Sequence, residues 1–299
     1  MSEIPSGSLI DEWLRAVAAE EASDLHVGAR RRPMMRVSGT LIPIVETILT
    51  SDESEEICLG IVPPHKLAEA KEFGSTDFSF DHDSDRYRAN VFRQRNSWAL
   101  VCRRLPADRL SFEQIGAPPV MKAMAYLPRG LVLVTGPTGS GKTTTLASMI
   151  HEINEKRSEH IITLEDPIEF EHESLKSVVN QREIGEDTTS FSEALRRVLR
   201  QDPDVIMLGE MRDLETTAAA ITAAETGHLV FGTLHTTGAA RTVDRIIDQY
   251  PKESQEQVRA QLSVSLQAVV SQVLVPRADG RGRVAAFEVM VRNSAIENH

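Results

Sequence analysis

The sequence predicts an α/β domain preceded by a smaller α+β domain. After about residue 120, predicted strands alternate with predicted helices, which is typical of a parallel α/β sheet. Before about residue 105, three short runs alternate apolar and polar residues, which indicates an antiparallel sheet. The length of 299 residues suits two domains, since one domain usually has about 100–200 residues.

The composition argues against several classes of protein. Hydrophobic residues make up 41% of the chain, so each domain can bury a core. The formal net charge of -11 argues against general affinity for nucleic acid or anionic lipid. No apolar run reaches the ~18 residues of a membrane span, and the N-terminus lacks the layout of a signal peptide. Two isolated cysteines, Cys58 and Cys102, predict neither a disulfide framework nor a zinc site. We therefore expect a cytoplasmic protein with no inserted segment and no nucleic-acid partner.

The first domain is predicted at residues 1–107. An amphipathic first helix is indicated by the helical spacing of Leu9, Ile10, Trp13, Leu14 and Val17. Two short strands are expected around residues 24–27 and 34–37. Two helices are expected at 51–61 and 65–73, and the three alternating runs are 77–80, 87–92 and 98–102.

A linker is predicted at residues 108–119, where Gly116, Pro118 and Pro119 stand in a stretch of little periodicity. The second domain is then predicted at residues 120–299. Its strands are expected at 131–135, 161–165, 205–209, 230–234 and 284–291. Its helices are expected at 143–156, 191–199, 214–226, 239–249 and 254–272.

One loop of the second domain fits the phosphate-binding pattern G-x-x-x-x-G-K-[ST] at every fixed position. It lies between an apolar strand and a helix, so its backbone N–H groups and the positive helix end can face an anion. Lys142 is expected to reach the β- and γ-phosphates, and the Thr143 hydroxyl is expected to hold Mg²⁺. The residues expected to bind nucleotide are Gly136, Pro137, Thr138, Gly139, Ser140, Gly141, Lys142, Thr143 and Thr144.

An acidic stretch ends the predicted strand 161–165, at the edge where ligands collect in an open α/β sheet. It contains Glu165, Asp166 and Glu169. These carboxylates either hold Mg²⁺ through water and position the attacking water, or form a charged junction before an Asp-Pro turn. The spacing alone favours neither interpretation.

Glu210 follows the apolar strand 205–209, as in a Walker B element, although the usual Asp at the strand end is absent. It is a candidate to polarise the water that attacks the γ-phosphate and to contribute to the Mg²⁺ site. His228 and His235 flank the strand 230–234 and, being seven residues apart, are not expected to share a metal. One of them could sense the γ-phosphate, or both could be structural histidines.

The antiparallel runs carry six arginines: Arg86, Arg88, Arg93, Arg95, Arg103 and Arg104. Each is either a solvated residue of a strand edge or a cation that reaches nucleotide at a domain or subunit boundary. The second interpretation has a chemical reason, since an arginine that meets the developing charge greatly accelerates phosphoryl transfer.

Together these motifs resemble those of PilT-type ATPases, the type IV pilus retraction motors of the secretion ATPase superfamily. The matching stretches are ASDLHV from Ala22, GPTGSGKTTTLASMI from Gly136, ITLEDPIEFEH from Ile162, VVNQREIGEDTTSFSEALRRVLRQDPDVIMLGEMRDLET from Val178 and ITAAETGHLVFGTLHTTGAARTVDRIIDQYP from Ile221. The resemblance covers nearly the whole chain.

The resemblance implies a RecA-like ATPase domain behind a PAS-like N-terminal domain, with ATP and Mg²⁺ as ligands. It implies a homo-hexamer that couples ATP hydrolysis to domain rotation at the inner-membrane pilus platform protein, on the cytoplasmic face. A paralogous retraction ATPase is a further implied partner. The implied site comprises the Asp box with Glu165, Asp166 and Glu169, the Walker B Glu210, the His box with His228 and His235, and Arg88, Arg95 and Arg103 acting across domains or subunits.

Four alternatives remain at this point. A PilU-like accessory ATPase shares most of these motifs. A pilus assembly or type II secretion ATPase is disfavoured by the short N-terminal domain and the absence of a tetracysteine module. A nucleic-acid translocase is disfavoured by the acidic charge and an aromatic content of 5%. A non-hydrolysing partner subunit is disfavoured by intact Lys142, Thr143 and Glu210.

Family members usually continue into an AIRNLIRE-like helical segment associated with retraction. Only Ala295, Ile296 and Asn298 echo that segment. On this ground we expect motor activity to be weaker than ATP hydrolysis alone would indicate.

Overall fold

A computed structural model of the chain describes residues 4, 6–105, 110–278 and 282–293. It divides into two compact units, Met1–Asp108 and Arg109–His299. None of the helices in the described ranges is long and apolar enough to cross a membrane. The residues that echo the AIRNLIRE-like segment lie outside the described residues.

The first unit is built on a six-stranded antiparallel sheet with the order β3-β2-β1-β6-β5-β4. Its strands are β1 (Asp24–Gly28), β2 (Met34–Val37), β3 (Thr40–Pro43), β4 (Ser75–His82), β5 (Asp85–Gln94) and β6 (Ser97–Arg104). Its helices are α1 (Leu9–Ala19), α2 (Ser51–Gly60) and α3 (Leu67–Phe73), with a short 3₁₀ turn at Pro64–Lys66. The α+β class predicted for this part of the chain is confirmed.

The amphipathic first helix forms as predicted, and its apolar face is buried. Ser8 caps α1 by accepting a hydrogen bond from the backbone N–H of Asp11. The apolar face then buries Trp13, Leu14 and Val17 in the core of this unit. Burial of side chains of this size is the main favourable contribution to folding, at about 1.5–3 kcal/mol each.

The second unit contains a seven-stranded sheet with the order β13-β12-β7-β11-β10-β8-β9. All neighbours are parallel except the last strand, β13, which pairs antiparallel with β12. Its strands are β7 (Gly130–Thr135), β8 (His160–Glu165), β9 (Val178–Glu183), β10 (Val205–Leu208), β11 (Leu229–Leu234), β12 (Leu266–Pro276) and β13 (Arg283–Val291). Its helices are α4 (Pro119–Met124), α5 (Lys142–Lys156), α6 (Phe191–Val198), α7 (Leu214–Glu225), α8 (Ala239–Ile247) and α9 (Gln255–Ser265).

Apolar clusters form on both faces of this sheet, as a mostly parallel sheet requires. One cluster joins the sheet to α6, α7, α8 and α9, and the other joins it to α4 and α5. Phe112 and Ile115, from the segment predicted as a linker, are buried in the second cluster. This part of the predicted linker therefore packs onto the second unit and is not a free tether.

The helix predicted at residues 254–272 is wrong in its C-terminal part. Helix α9 ends at Ser265, and β12 follows at once and pairs in parallel with β7. The strand is rich in valine, and β-branched side chains lose less freedom on a pleated surface than in a helix. The strands β3 and β9 were not predicted, because β3 has only four residues and β9 is mostly polar.

Candidate nucleotide site

The glycine-rich loop connects β7, near the middle of the parallel sheet, to the N-terminus of α5. Gly136 lies at φ 147, where a Cβ atom would stand 2.2 Å from the backbone oxygen of Gln272. Only glycine fits this close approach. Gly139 lies at φ 75 with open space where its Cβ would point. The loop therefore forms a backbone cradle next to the positive end of a 15-residue helix.

Two polar atoms of the cradle remain unsatisfied. Ser140 Oγ and Thr135 Oγ1 are buried and have no hydrogen-bond partner in the described part of the chain. Buried polar atoms usually have a partner, and an orphaned one calls for a ligand or a water. The donor chemistry of this cradle thus fits the phosphates of a nucleotide.

Gln272 on β12 holds the loop from the neighbouring strand. Its Nε2 donates to the backbone oxygen of Ser140 at 2.7 Å, and its Oε1 accepts from Thr145 Oγ1 at 2.7 Å. The side chain is 3% exposed, so both bonds are shielded from water. Gln272 was not predicted as a site residue, because position 272 was expected at the end of a helix and lies instead on β12.

Lys142 is folded back onto the loop that carries it. Its Nζ donates to the carbonyl oxygens of Gly136 at 2.9 Å and Pro137 at 3.1 Å. Burial lowers the pKa of Lys142, while the negative charges of Glu210 and Glu169 act in the opposite direction. His235 Nδ1 lies 3.5 Å from the same ammonium group.

His235 and Glu210 follow the adjacent parallel strands β11 and β10, whose carboxyl ends meet beside the loop. His235 Nε2 lies 2.7 Å from Glu210 Oε1, and Arg212 Nη2 lies 2.7 Å from Glu210 Oε2. Burial raises the pKa of Glu210, but Arg212 and His235 outweigh burial, so the pKa lies below its ordinary value. Glu210 is therefore a carboxylate at neutral pH.

The acidic stretch at the end of β8 has two different environments. Glu165 is 4% exposed and accepts hydrogen bonds from Thr163 Oγ1 at 2.7 Å and Gln181 Nε2 at 3.0 Å. Burial raises the pKa of Glu165 to about 7, against the effect of these two hydrogen bonds. Asp166 and Glu169 act by charge on Arg212 and Lys142, respectively.

No cluster of three or more His, Cys, Asp or Glu side chains in the described ranges is arranged to hold a metal ion. A Mg²⁺ ion in this kind of site is held by one or two protein oxygens together with substrate phosphates. Thr143, the second residue of α5, and the Glu210 carboxylate supply oxygens of that kind.

His228 lies before β11, and the six residues Leu229–Leu234 separate it from His235. Its Nδ1 lies 2.9 Å from the backbone oxygen of Ala223. At about 3.3 Å per strand residue, the two histidines stand on the order of 20 Å apart. The structure does not bring His228 to the glycine-rich loop of its own chain.

The six arginines of the antiparallel runs differ in their surroundings. Arg86 and Arg104 pair with Asp81 and Asp85, and Arg93 lies over the Trp98 ring. The three implied site arginines are instead exposed on β5, β6 and the turn between them: Arg88, Arg95 and Arg103. Of these, Arg103 Nε donates to Asp24 Oδ1 at 3.0 Å.

A family model described as Type II/IV secretion system protein matches residues 2–298 of the chain. The chain belongs to this family. The chain is 50% identical over 290 residues to PilT, the type IV pilus retraction ATPase of Pseudomonas aeruginosa. The alignment covers 97% of this chain and 84% of PilT. PilU, the type IV pilus ATPase of the same organism, is 40% identical over 94% of this chain and 74% of its own.

Among solved structures, the pilus retraction motor PilT with bound ADP superposes with a TM-score of 0.93 at 48% identity. The match covers 97% of this chain and 84% of the PilT chain. The fold is thus that of the secretion ATPases, with a RecA-like ATPase domain behind an N-terminal domain. The predicted resemblance to PilT-type ATPases and the predicted fold class are confirmed.

Proposed function

We propose that this chain is an ATP-hydrolysing motor subunit that drives type IV pilus retraction and hence twitching motility. The observation that carries the proposal is the convergence of Lys142, His235 and Glu210 at the glycine-rich loop, from three separate elements. Its relatives PilT and PilU are pilus ATPases. This convergence argues against the alternative that Glu210 is an ordinary surface acid and that His235 is only a structural histidine.

ATP binding would use the loop's backbone N–H groups and the side chains of Lys142, Thr143 and Thr144. Lys142 now donates to two carbonyl oxygens of its own loop, and it exchanges these for the β- and γ-phosphate oxygens of ATP. Ser140 Oγ gains the partner that it lacks. Thr143 would hold Mg²⁺, with Glu210 contributing through water, and the ion would supply positive charge to the bound phosphates.

Glu210 acts as the base or orienting group for the attacking water. Arg212 fixes one carboxylate oxygen and His235 fixes the other, so the side chain has a defined position and keeps its negative charge. His235 also approaches Lys142 through its second ring nitrogen. When Lys142 moves to bind a γ-phosphate, His235 loses its contact with the lysine, and this change is passed to Glu210 through Nε2 of His235. Asp166 and Glu169 support the metal and the water.

The arginine side of the site would come from another subunit. We propose a homo-hexamer in which Arg88, Arg95 or Arg103, and with them His228, approach the nucleotide of a neighbouring chain. Residues 1–107 and 120–299 would be the moving domains, with residues 108–119 between them, of which Phe112 and Ile115 pack onto the second unit. Closure on ATP would move the pilus platform protein at the cytoplasmic face of the inner membrane.

Twitching tests this function. We expect the chain to restore twitching zones to a piliated strain that lacks its retraction ATPase, and Lys142→Ala, expressed at the same level, to restore none. Stable expression without twitching contradicts the retraction role.

The 40% identity to PilU favours an accessory ATPase as the second candidate. The same assay separates the two roles. An accessory subunit restores twitching only to a strain that keeps its own PilT and lacks PilU. A retraction motor restores twitching where PilT itself is missing.

A further inference from the structure

The acidic loop, residues 166–172, follows β8 and carries Asp166 and Glu169. One side chain on β9, Gln181, makes two contacts to this loop and a third to Glu165 directly before it. Its Nε2 donates to the backbone oxygen of Phe170 at 2.9 Å and to Glu165 Oε1 at 3.0 Å. Its Oε1 accepts from the backbone N–H of His172 at 2.6 Å. Gln181 thus connects the residue before the loop to the loop's last three residues.

A second residue of the same strand completes the attachment. Glu183 is two positions further along and therefore faces the same side of β9. Its Oε2 accepts from the backbone N–H of Ile168 at 3.1 Å, and Glu183 is 6% exposed. The backbone N–H of Ile184, directly after β9, also donates to the backbone carbonyl oxygen of Glu165 at 2.8 Å. The beginning, the middle and the end of the acidic loop are all fastened to this edge strand.

The loop position matters to the nucleotide site through charge. Glu169 acts on Lys142, and Asp166 acts on Arg212, which in turn binds Glu210. Lys142 is buried and Glu169 is half-buried, so the Coulomb energy between them is weakly screened and depends on their distance. Asp166 and Arg212 are exposed, so solvent screens the interaction between them. A displacement of the acidic loop therefore changes the field chiefly at the phosphate-binding lysine.

We infer that Gln181 is a positioning residue for ATP hydrolysis, which holds the acidic loop where Glu169 acts by charge on Lys142 of the P-loop and Asp166 acts by charge on Arg212. The inference rests on the proposed ATPase function. A side-chain amide suits the role because it both donates and accepts, as these three contacts require. An ionised glutamate keeps the acceptor but loses both donor contacts, and a methionine loses all three at nearly the same length.

The test compares Gln181→Glu and Gln181→Met with the unaltered full chain. We expect kcat for phosphate release to fall by about tenfold or more in both variants, since a shift of about 1 Å in a supporting group can reduce a rate 10²-fold. The KM for ATP and the affinity for a fluorescent ADP analogue should change much less than kcat does, because the backbone N–H groups of the P-loop still bind the phosphates. A merely structural role predicts lower melting temperatures without this separation of kcat from KM.

Asn180→Met is the matched control. Asn180 neighbours Gln181 on β9 but points to the opposite face, where it is exposed beside His160. Its variant should keep the kcat of the unaltered chain. The inference is overturned if Gln181→Met keeps kcat within about twofold, if nucleotide affinity falls in parallel with kcat, or if Asn180→Met loses as much activity. Absence of hydrolysis by the unaltered chain would instead contradict the proposed function.

Discussion

The amide of Gln272 spans the P-loop and the first turn of α5 with one donated and one accepted hydrogen bond. Both partners are buried, so a substitution leaves the Ser140 carbonyl and the Thr145 hydroxyl without a partner. Leaving such a group unsatisfied costs about 1–3 kcal/mol. The loss of these bonds destabilises the conformation of the loop that binds the nucleotide phosphates.

We therefore expect Gln272→Leu to weaken the binding of a fluorescent ATP analogue by roughly tenfold, which corresponds to about 1.4 kcal/mol. Gln267→Leu is the matched control. Gln267 lies on the same strand, but its side chain stands against Gly130, at the other end of β7 from the P-loop. Equal affinity in a folded Gln272→Leu protein would show that the loop keeps its shape without the amide.

Among the elements, α7 begins directly after the Walker B segment, so its first residue limits where Glu210 and Arg212 lie. Asp213 caps this helix: its carboxylate accepts from the backbone N–H of Thr216 at 2.7 Å and from the Thr216 hydroxyl at 3.0 Å. The capping side chain satisfies one of the N–H groups that the first helical turn leaves unpaired.

Asp213→Ala should lower the free energy of unfolding by about 1 kcal/mol, the usual cost of losing an N-cap. Asp213→Asn should retain most of this stability, since asparagine caps helices about as well as aspartate. Denaturant unfolding of the two variants checks the difference. Equal stability of the alanine and asparagine variants would mean that the cap contributes nothing here.

The central strands could be predicted from the sequence because parallel strands covered on both faces appear as uninterrupted apolar runs. The predicted strands at 131–135, 161–165, 205–209 and 230–234 lie within one residue of the observed ones. The edge strand β9 could not be found in this way, since only its first two residues are apolar. Strand β12 was hidden because it follows α9 without a turn.

The same limits apply to the site. Motif spacing predicted Lys142 and Glu210, the family resemblance implied His235, and the structure brings these three together. Gln181 and Gln272 were not predicted, because their roles depend on hydrogen bonds to residues that are distant in the sequence. Arg212 was also missed, although it follows Glu210 by two residues, because nothing in the spacing showed that it turns back to the carboxylate.

At the scale of the whole molecule, the site is assembled from the carboxyl ends of β7, β8, β10 and β11, with β12 supporting the loop. The carboxyl ends of these strands lie at the same edge of the sheet because the strands are parallel. In the described part of the second unit, Lys142 and Arg212 lie beside the glycine-rich loop and the Walker B segment, and both are near carboxylates. Further positive charge would stabilise the transition-state charge on the γ-phosphate, which is the physical reason to propose arginines from a neighbouring subunit.

Hydrolysis by a Glu210→Gln variant is the most direct test of the account. Glutamine keeps the size of the side chain but cannot take a proton from water, and a positioned base typically contributes about 10²–10⁴-fold to the rate. Steady-state phosphate release should therefore fall by about 100-fold or more, while binding of a fluorescent ATP analogue stays within a few-fold of the unaltered chain. Phosphate release near the unaltered rate would contradict the assignment of Glu210 and, with it, the proposed catalytic arrangement at the P-loop.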